Sequence, residues 1–444
     1  METPICDFLE HYQSSGITRF HMPGHKGVPL LGCEPMDITE VSGADSLYEA
    51  EGIIARSEQN ATRLFGSART VYSTEGSSQC IRAMLYLALN HRAEGAAPLI
   101  VAARNVHKAF VYAAALLDFQ VQWLWPEGGS HSLCGCPVSP ETLERTLSAL
   151  PAPPAAVYLT SPDYLGAVAD IAALAEVCHR HRTILAVDNA HGAYLRFLAP
   201  SQHPLDLGAD MCCDSAHKTL PVLTGGAYLH LSRRTPAAMQ ESVKAAMALF
   251  GSTSPSYLTM ASLDRCNRYL AEDYPQLLGK TVAQIRKIRR LLSENGWKTL
   301  DSDPLRITIC APKGRSGTEL AHFLRKNTME CEYADPDFLV LMLTPENTQE
   351  DLHRLVAILE KNSDGQPLPP CLPIADGVQR ASIRQALFAP HETVPVKASL
   401  GRICGAPTVA CPPAIPVAVS GEEIGQAALA LFAHYGIETV DVLK

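Results

Sequence analysis

The chain has 444 residues, which is too long for one ordinary hydrophobic core, so we expect two or three domains. Its composition, 47% hydrophobic and 19% charged, is that of a globular protein. Its formal net charge of −9 argues against a nucleic-acid-binding or membrane-surface protein, because no basic excess is present to neutralise phosphates.

Nothing in the sequence predicts membrane insertion or secretion. No run of about 18 apolar residues is present, and the amino terminus lacks the charged and apolar regions of a signal peptide. The 14 cysteines are scattered, many of them in apolar runs where Cys acts as a small buried hydrophobe. We therefore expect a reducing, cytoplasmic location. Cys134 and Cys136 have no second pair at zinc-ligand spacing, so we expect no metal site.

The first hundred residues contain one motif that suits an anion. Residues 1–19 predict a short helix and a turn, and residues 57–65 predict a helix that ends at Gly66. After a short strand, Thr70–Ser73, the residues Gly76-Ser77-Ser78 open an apolar-periodic helix. A helix start of this composition offers backbone N–H groups and hydroxyls to an anion, and an ordinary serine N-cap is the alternative.

From residue 99 onwards, short apolar runs alternate with amphipathic helices. The predicted strands are Leu99–Ala103, Val121–Trp125, Ala156–Thr160, Ile184–Val187, Asp210–Cys213 and Gly226–Leu231, and the predicted helices between them are Val106–Phe119, Pro140–Leu150 and Ile171–His181. This alternation predicts an α/β fold with a mostly parallel, doubly wound sheet.

Polar side chains follow four of these strands. They lie in the segments 105–107, 161–163, 188–191 and 215–218. In such sheets ligands bind beyond the carboxyl ends of the strands. We therefore expect the four segments to converge on one site.

Two of these residues together indicate pyridoxal phosphate (PLP). Lys218 is an amine that can form a Schiff base with the aldehyde, and Asp188 is a carboxylate that can pair with the ring nitrogen. His107 can stack on the ring, and Ser215 can join residues 76–78 at the phosphate. Singly, each residue has an ordinary explanation: Lys218 as a surface lysine, Asp188 as a helix cap. Their ordered occurrence at strand ends favours the cofactor.

The remainder of the chain predicts a second, smaller α/β domain. Residues 236–250 and 257–292 are helix-rich, and a strand–helix–strand–helix pattern follows in Leu305–Cys310, Glu319–Arg325, Phe338–Leu343 and Asp351–Lys361. Residues 362–376 are proline-rich, and Glu422–His434 predicts a last helix. The predicted domains are an N-terminal segment (1–50), a PLP-binding large domain (51–265), a small α/β domain (266–362), and a linker with the C-terminal segment (363–444).

These motifs resemble, in order, those of the bacterial Orn/Lys/Arg decarboxylases of fold type I, in the short form without a wing domain. The matching segments are Phe20-His-Met-Pro-Gly-His-Lys26, Asp37-Ile-Thr-Glu40, Gly43-Ala-Asp-Ser-Leu47, Arg104-Asn-Val-His-Lys108, Ser161-Pro-Asp-Tyr-Leu-Gly166, Val187-Asp-Asn-Ala-His-Gly192, Ser215-Ala-His-Lys-Thr-Leu220, Ser252-Thr-Ser-Pro-Ser-Tyr257 and Pro412-Pro-Ala-Ile-Pro416. The resemblance covers nearly the whole chain and implies an aspartate-aminotransferase-like large domain with a seven-stranded sheet.

The resemblance also implies roles for individual residues. Lys218 is the Schiff-base lysine, Asp188 binds the pyridine nitrogen, and His107 stacks on the ring. Further cofactor contacts are implied for Gly76, Ser77, Ser78, Ala190, Ser215 and His217, with Ser252 and Thr253 reaching the phosphate of a partner subunit in a homodimer. Asp45 and Glu49 are candidates for the distal cation of the substrate.

The implied reaction is decarboxylation of lysine, arginine or ornithine to a polyamine-type amine and CO2. The alternatives are another fold type I PLP reaction, as in an aminotransferase or a lyase, and a non-catalytic PLP-binding paralogue. The expected partner is therefore a small amino acid, with neither nucleic acid nor membrane.

The chain departs from the family pattern around these same motifs. Glu75 stands where Asn is usual, Asn189 where Glu is usual, Asp214 where Gln is usual and Ala216 where Thr is usual. Gly225 and Gly226 also differ from the usual pattern.

Overall fold

A computed structural model describes residues 1–359, 368–407 and 413–444. The helices in these residues are α1 (Pro4–Ser14), α2 (Ile53–Phe65), α3 (Ser77–Asn90), α4 (Lys108–Leu117), α5 (Pro140–Ser148), α6 (Ile171–Arg180), α7 (Ala216–Thr219), α8 (Ala237–Ala248), α9 (Tyr257–Ala271), α10 (Tyr274–Glu294), α11 (Gly317–Lys326), α12 (Gln349–Ile358), α13 (Ile383–Phe388) and α14 (Gln426–His434). The strands are β1 (Arg69–Ser73), β2 (Leu99–Ala103), β3 (Gln120–Leu124), β4 (Ala156–Thr160), β5 (Ile184–Asp188), β6 (Met211–Asp214), β7 (Ala227–Leu231), β8 (Arg306–Cys310), β9 (Tyr333–Ala334), β10 (Phe338–Met342), β11 (His391–Pro395) and β12 (Thr439–Leu443).

Strands β1 to β7 form a large, mostly parallel seven-stranded sheet, which confirms the predicted α/β fold class. Strand β5 is parallel to β6, and β2 is parallel to both β3 and β4. Strand β7 is the exception, since it runs antiparallel to both of its neighbours, β1 and β6.

The chain divides into two compact units. The first comprises residues 1–91 and 184–279, and its strand order is β1-β7-β6-β5. Strands β6 and β7 are buried along their whole length, and helix α3 packs against β5, β6 and β7. Most side chains of these strands are apolar, which explains why the strands appear in the sequence as short hydrophobic runs.

The second unit comprises residues 92–183 and 280–444. It contains the strand order β4-β2-β3, a three-stranded antiparallel sheet β8-β10-β9, and the antiparallel pair β11-β12. The predicted strands of the smaller α/β domain are present as β8 and β10 within one residue, whereas β9, β11 and β12 were not predicted. The predicted domain boundaries stay a prediction.

Of two predictions from the C-terminal half, one is confirmed and one is wrong. The stretch 257–292 is helix-rich as predicted, since it consists of helices α9 and α10 with a break at residues 272–273. The last helix begins at Gln426 instead of Glu422, because Glu422 is buried in an isolated β-bridge and an ion pair. Parts of the proline-rich segment and of the predicted helix Asp351–Lys361, together with Pro412, lie outside the described residues.

In the described part of the chain, no helix combines the length and the apolar character that crossing a membrane requires.

Candidate active site

Lys218 lies in a single turn of helix that follows strand β6 directly. Ser215 precedes this turn, and its carbonyl accepts a hydrogen bond from the backbone N–H of Lys218. The lysine side chain is partly buried, and its Nζ lies 3.0 Å from Nε2 of His191. An imidazole nitrogen at this distance can share a proton with the amine, so the lysine belongs to a polar pair inside the unit.

Asp188 is the last residue of β5, and only 2% of its surface is exposed. Its Oδ1 accepts a hydrogen bond of 3.2 Å from the backbone N–H of Ala190 and faces the thiol of Cys213 at 3.8 Å. Asp188 thus closes a local turn, and because no helix begins directly after it, the alternative role as a helix cap is wrong. A buried carboxylate at a strand end is also suited to pair with a cationic ring nitrogen.

The N-terminus of helix α3 differs from the serine cap that was the alternative prediction. The N-cap is Gly76, with φ +71° and ψ 179°, a conformation that only glycine adopts readily. Ser77 and Ser78 are therefore the first two helical residues, and neither side chain caps the helix. The hydroxyl of Ser215 donates to the hydroxyl of Ser77 at 2.8 Å, so two hydroxyls meet at the start of a 14-residue helix. This geometry suits a phosphate group.

The Gly225–Gly226 pair connects this helix start to His217. The Gly225 carbonyl accepts from the N–H of Gly76 at 2.8 Å, and the Gly226 carbonyl accepts from both the backbone N–H and Nδ1–H of His217. Gly225 has φ +96°, and a Cβ there would lie 2.7 Å from the Thr74 carbonyl oxygen. Only glycine fits this turn, which explains one departure from the family pattern.

Glu75 is another departure from the family pattern. Its carboxyl group does not belong to the polar groups of the candidate site. Glu75 is exposed, and its backbone N–H donates to the hydroxyl of Ser73. Ala190, two residues beyond the end of β5, is buried, and its contact with the cofactor ring stays a prediction.

The predicted substrate carboxylates have different surroundings. Both oxygens of Asp45 accept backbone N–H groups at the start of helix α2, from Gly52 at 2.7 Å and Ile54 at 3.0 Å among others. Burial raises the pKa of Asp45, but these backbone N–H groups outweigh burial and leave its pKa lowered. Glu49 is exposed and accepts a hydrogen bond from the Ser46 hydroxyl at 2.5 Å. Ser252 and Thr253, predicted to reach a partner subunit, are also exposed.

His107 lies in the second unit, where it caps helix α4 through an N–H···Nδ1 bond of 3.1 Å from Ala109. The C-terminal segment holds this turn: the Lys108 N–H donates to the Ala414 carbonyl at 2.8 Å. Arg104 donates to the carbonyls of Pro416 and Val417 and pairs with buried Glu422 at 3.1 Å. The stacking role of His107 on a cofactor ring stays a prediction.

The strand ends of the second unit contain further buried polar groups. Asn105 and Asp163 line one cavity of about 610 Å³. Burial raises the pKa of Asp163 to about 6. The structure thus brings together the segments 188–191 and 215–218 in the first unit, and Asn105 and Asp163 in the second. The convergence of all four segments on one site stays a prediction.

Two features of the first unit were missed from the sequence. His191 was noted only as part of a motif, and its contact with Lys218 gives it a place in the site. Asn189 and Asp214, noted as separate departures from the family pattern, contact each other: Nδ2 of Asn189 donates to Oδ1 of Asp214 at 2.7 Å. Among the described residues, Asp214 also forms a potential metal-binding group with His203 and His230.

The residues of the first unit fit PLP by their chemistry. They supply an amine at Lys218, a buried carboxylate at Asp188, and the hydroxyls of Ser77 and Ser215 at a helix N-terminus. These are the groups that an aldehyde, a ring nitrogen and a phosphate require.

Comparisons with known proteins identify the family and the fold of the chain. A family model described as Orn/Lys/Arg decarboxylase, major domain, matches residues 3–309. An arginine decarboxylase of Bacillus subtilis (strain 168) is 28% identical in an alignment that covers 95% of this chain and 91% of the relative.

Two solved structures show the same fold. The lysine decarboxylase LdcF of Francisella novicida has a TM-score of 0.79 and 17% identity, and the match covers 100% of this chain and 81% of that chain. A serine palmitoyltransferase solved with PLP has a TM-score of 0.57 and 12% identity, covering 71% of this chain and 79% of that chain. The predicted fold type I architecture is therefore confirmed.

Proposed function

Because the chain belongs to the Orn/Lys/Arg decarboxylase family, and so to the PLP-dependent amino-acid decarboxylases, we propose that it removes the α-carboxylate of a basic amino acid with bound PLP. The observation that carries the proposal is the position of Lys218. Its amine stands beside His191, in the same unit as buried Asp188 and the hydroxyl pair at the start of helix α3.

The cofactor, when bound, supplies an electron sink for the pair of electrons that CO2 leaves behind. Lys218 would hold the aldehyde of the cofactor through its amine. Asp188 would bind the ring nitrogen, because a buried carboxylate favours a neighbouring cation. Ser77, Ser78 and Ser215, with the backbone N–H groups of helix α3, hold the phosphate.

We propose that His191 and Lys218 together bind and transfer the proton at the reacting centre. Lys218 must be neutral to act as a nucleophile, and a neutral Nε2 of His191 at 3.0 Å accepts a hydrogen bond from the amine. After CO2 departs, a proton must be delivered to Cα, and this pair is placed to hold it.

We propose arginine, lysine or ornithine as the substrate, and a polyamine-type amine as the product. The relatives named arginine decarboxylases place arginine first among the amino acids to test. The distal cation needs a carboxylate, and Glu49 suits this role better than Asp45. The carboxylate of Asp45 is already occupied by backbone N–H groups, whereas that of Glu49 is exposed.

We propose that the working enzyme is a homodimer located in the cytoplasm. Large apolar side chains are exposed in the segment 17–31, including Phe20 at 93% and Leu31 at 90%. An apolar surface of this kind is typical of a protein–protein contact. Exposed Ser252 and Thr253 would then complete the phosphate site of the partner. The cysteines of the described residues are all free, which agrees with a reducing compartment.

The test is incubation of the purified protein and PLP with single amino acids, followed by quantification of CO2, amine and keto acid. We expect CO2 and the matching amine, in equal amounts, from at least one of arginine, lysine and ornithine. The Lys218→Ala variant should form neither, and Lys280→Ala, which changes an exposed lysine of helix α10, should keep full activity. Keto-acid formation would identify an aminotransferase, and PLP binding without turnover would identify a non-catalytic paralogue.

A further inference from the structure

Asp214 is a fully buried carboxylate that three side chains hold in place. Its Oδ2 accepts hydrogen bonds from Nε2 of His203 at 3.1 Å and from Nε2 of His230 at 3.2 Å. Its Oδ1 accepts a bond of 2.7 Å from Nδ2 of Asn189. None of these four residues, Asp214, His203, His230 and Asn189, has any exposed surface. Three donors from separate parts of the chain thus fix one carboxylate in the interior of the first unit.

The hydrogen-bonding pattern extends across the sheet. Because Nε2 of His230 donates to Asp214, its Nδ1 accepts from the Thr70 hydroxyl at 2.8 Å, and Thr70 lies 2.7 Å from the hydroxyl of Ser67. His230 and Thr70 are direct partners between β7 and β1. The network therefore links β1, β7 and β6 to the end of β5. Burial alone raises the pKa of Asp214, but the facing His203 and His230 outweigh burial and hold it well below its usual range.

The network ends at the two strand ends that carry the proposed cofactor ligands. Asn189 directly follows Asp188, and Asp214 directly precedes Ser215. The backbone N–H of Asn189 also donates to the carbonyl of Cys213 at 3.0 Å. One side-chain bond and one backbone bond therefore join β5 to β6 immediately beyond the strand pairing.

We propose that Asp214 and Asn189 are positioning residues, which fix the spacing between Asp188 on one strand end and the Ser215–Lys218 turn on the next. The inference rests on the proposed function, because it assigns the spacing to the needs of PLP. A ring held at one end by Asp188 and at the other by Lys218 binds tightly only if the two strand ends keep their distance. Asn189 and Asp214 form an acid–amide pair across this gap, and such a pair also forms when the two residue types are exchanged.

The exchange provides the test. Asp214→Asn keeps the size of the side chain but places an amide opposite the amide of Asn189 and removes the charge between two histidines. We expect PLP affinity to fall about tenfold or more, since a buried hydrogen bond to a charged group is lost, and the absorbance of bound PLP to shift. Asn189→Asp places two carboxylates together and should lower PLP affinity further. The double variant Asn189→Asp/Asp214→Asn restores an acid–amide pair and should recover PLP affinity to within about threefold.

Asp210→Asn is the matched control. Asp210 is also buried, and its Oδ2 accepts from the Leu185 N–H at 2.8 Å at the opposite end of the same two strands. The control should lower the thermal midpoint of the PLP-free protein without changing PLP affinity or absorbance. If the network had only a structural role, Asp214→Asn would likewise lower the thermal midpoint and leave PLP affinity and absorbance unchanged.

The possible outcomes distinguish a failure of the proposed function from a failure of the positioning role. Wild-type protein that binds no PLP would contradict the proposed function and with it this inference. Wild-type protein that binds PLP, with unchanged affinity and absorbance in Asp214→Asn, or with no recovery in the double variant, would overturn the positioning role alone. Stoichiometric zinc in the purified protein would also overturn it, because His203 and His230 would then be metal ligands. If Asp214→Asn is insoluble, the double variant decides: soluble, PLP-binding protein supports the role and insoluble protein contradicts it.

Discussion

The Nζ atom of Lys218 lies 3.0 Å from Nε2 of His191, although the two residues are 27 positions apart in the chain. The contact forms because β5 and β6 are adjacent and parallel, so the segments that follow them meet at one edge of the sheet. It joins the proposed attachment point of the cofactor to an imidazole, the side chain most often used for proton transfer in active sites. His191 is therefore the residue whose replacement tells most about proton transfer in the site.

His191→Phe should lower kcat by about 100-fold, the lower end of what general acid–base catalysis contributes. Phenylalanine keeps a ring of similar size but removes the nitrogen that contacts Lys218. The pH dependence of the absorbance of bound PLP should also change, because the lysine loses its proton-sharing partner. The matched control is His322→Gln, on the exposed face of helix α11, which should leave both measurements unchanged. A His191→Phe variant with wild-type kcat would contradict the assignment.

Asp188→Asn should lower kcat/KM by about 100-fold, a loss typical of removing one preorganised electrostatic partner. The amide keeps the bond to the Ala190 N–H but no longer stabilises a protonated ring nitrogen. PLP should still attach to Lys218, so covalent trapping separates loss of catalysis from loss of binding. Asp170→Asn, which replaces the N-cap of helix α6 with an equally good capping residue, should be neutral in the same assays. Equal kcat/KM values for wild type and Asp188→Asn would show that Asp188 has no role in the mechanism.

Asp163 predicts a specific pH dependence of stability. Burial raises its pKa to about 6, whereas an unfolded aspartate titrates near about 3.9. Between these values the folded protein binds more protons than the unfolded chain, so this group makes the free energy of unfolding fall as the pH rises from about 4 to about 6. Asp163→Asn should abolish that contribution. The thermal midpoint of wild type relative to the variant should therefore decrease across this window and stay constant above it, and two parallel curves would contradict the raised pKa.

Ala414 has φ +59°, the left-handed region that disfavours residues with a Cβ, while its carbonyl holds the N–H of Lys108. Ala414→Gly should stabilise the protein by up to about 1 kcal/mol, because relief of the strained backbone exceeds the extra entropy of the unfolded glycine. The control Ala430→Gly, on the exposed face of helix α14, should cost about 1 kcal/mol. Denaturant unfolding of the PLP-free proteins measures both changes. A destabilised Ala414→Gly would show that the backbone at Ala414 is not strained.

Most strands of the large sheet were predictable from the sequence because each is a short, buried apolar run. Leu99–Ala103 and Ala156–Thr160 agree to the residue. The strand His391–Pro395 was not predictable, since it is partly exposed and lacks a clear apolar alternation. Its partner, Thr439–Leu443, lies about 50 residues further along, and local patterns contain no information on such pairing.

The candidate site also has a part that was predictable from the sequence and a part that was not. Lys218 and Asp188 were predictable because residues at the ends of parallel strands share one edge of a sheet. The bond between Asn189 and Asp214 was not predictable, because it depends on the register of β5 against β6, in which Asp188 faces Cys213. His203 reaches the same carboxylate from an irregular segment, whose path no periodicity describes.

Covalent binding of PLP to Lys218 can be measured by chemical trapping of the adduct. The wild-type protein is incubated with PLP, reduced with borohydride, digested, and mapped by mass spectrometry. The account predicts one phosphopyridoxyl group per chain, on the peptide that contains Lys218, and its loss in Lys218→Ala but not in Lys280→Ala. An unmodified Lys218, or label spread over exposed lysines in equal amounts in all three proteins, would contradict the account.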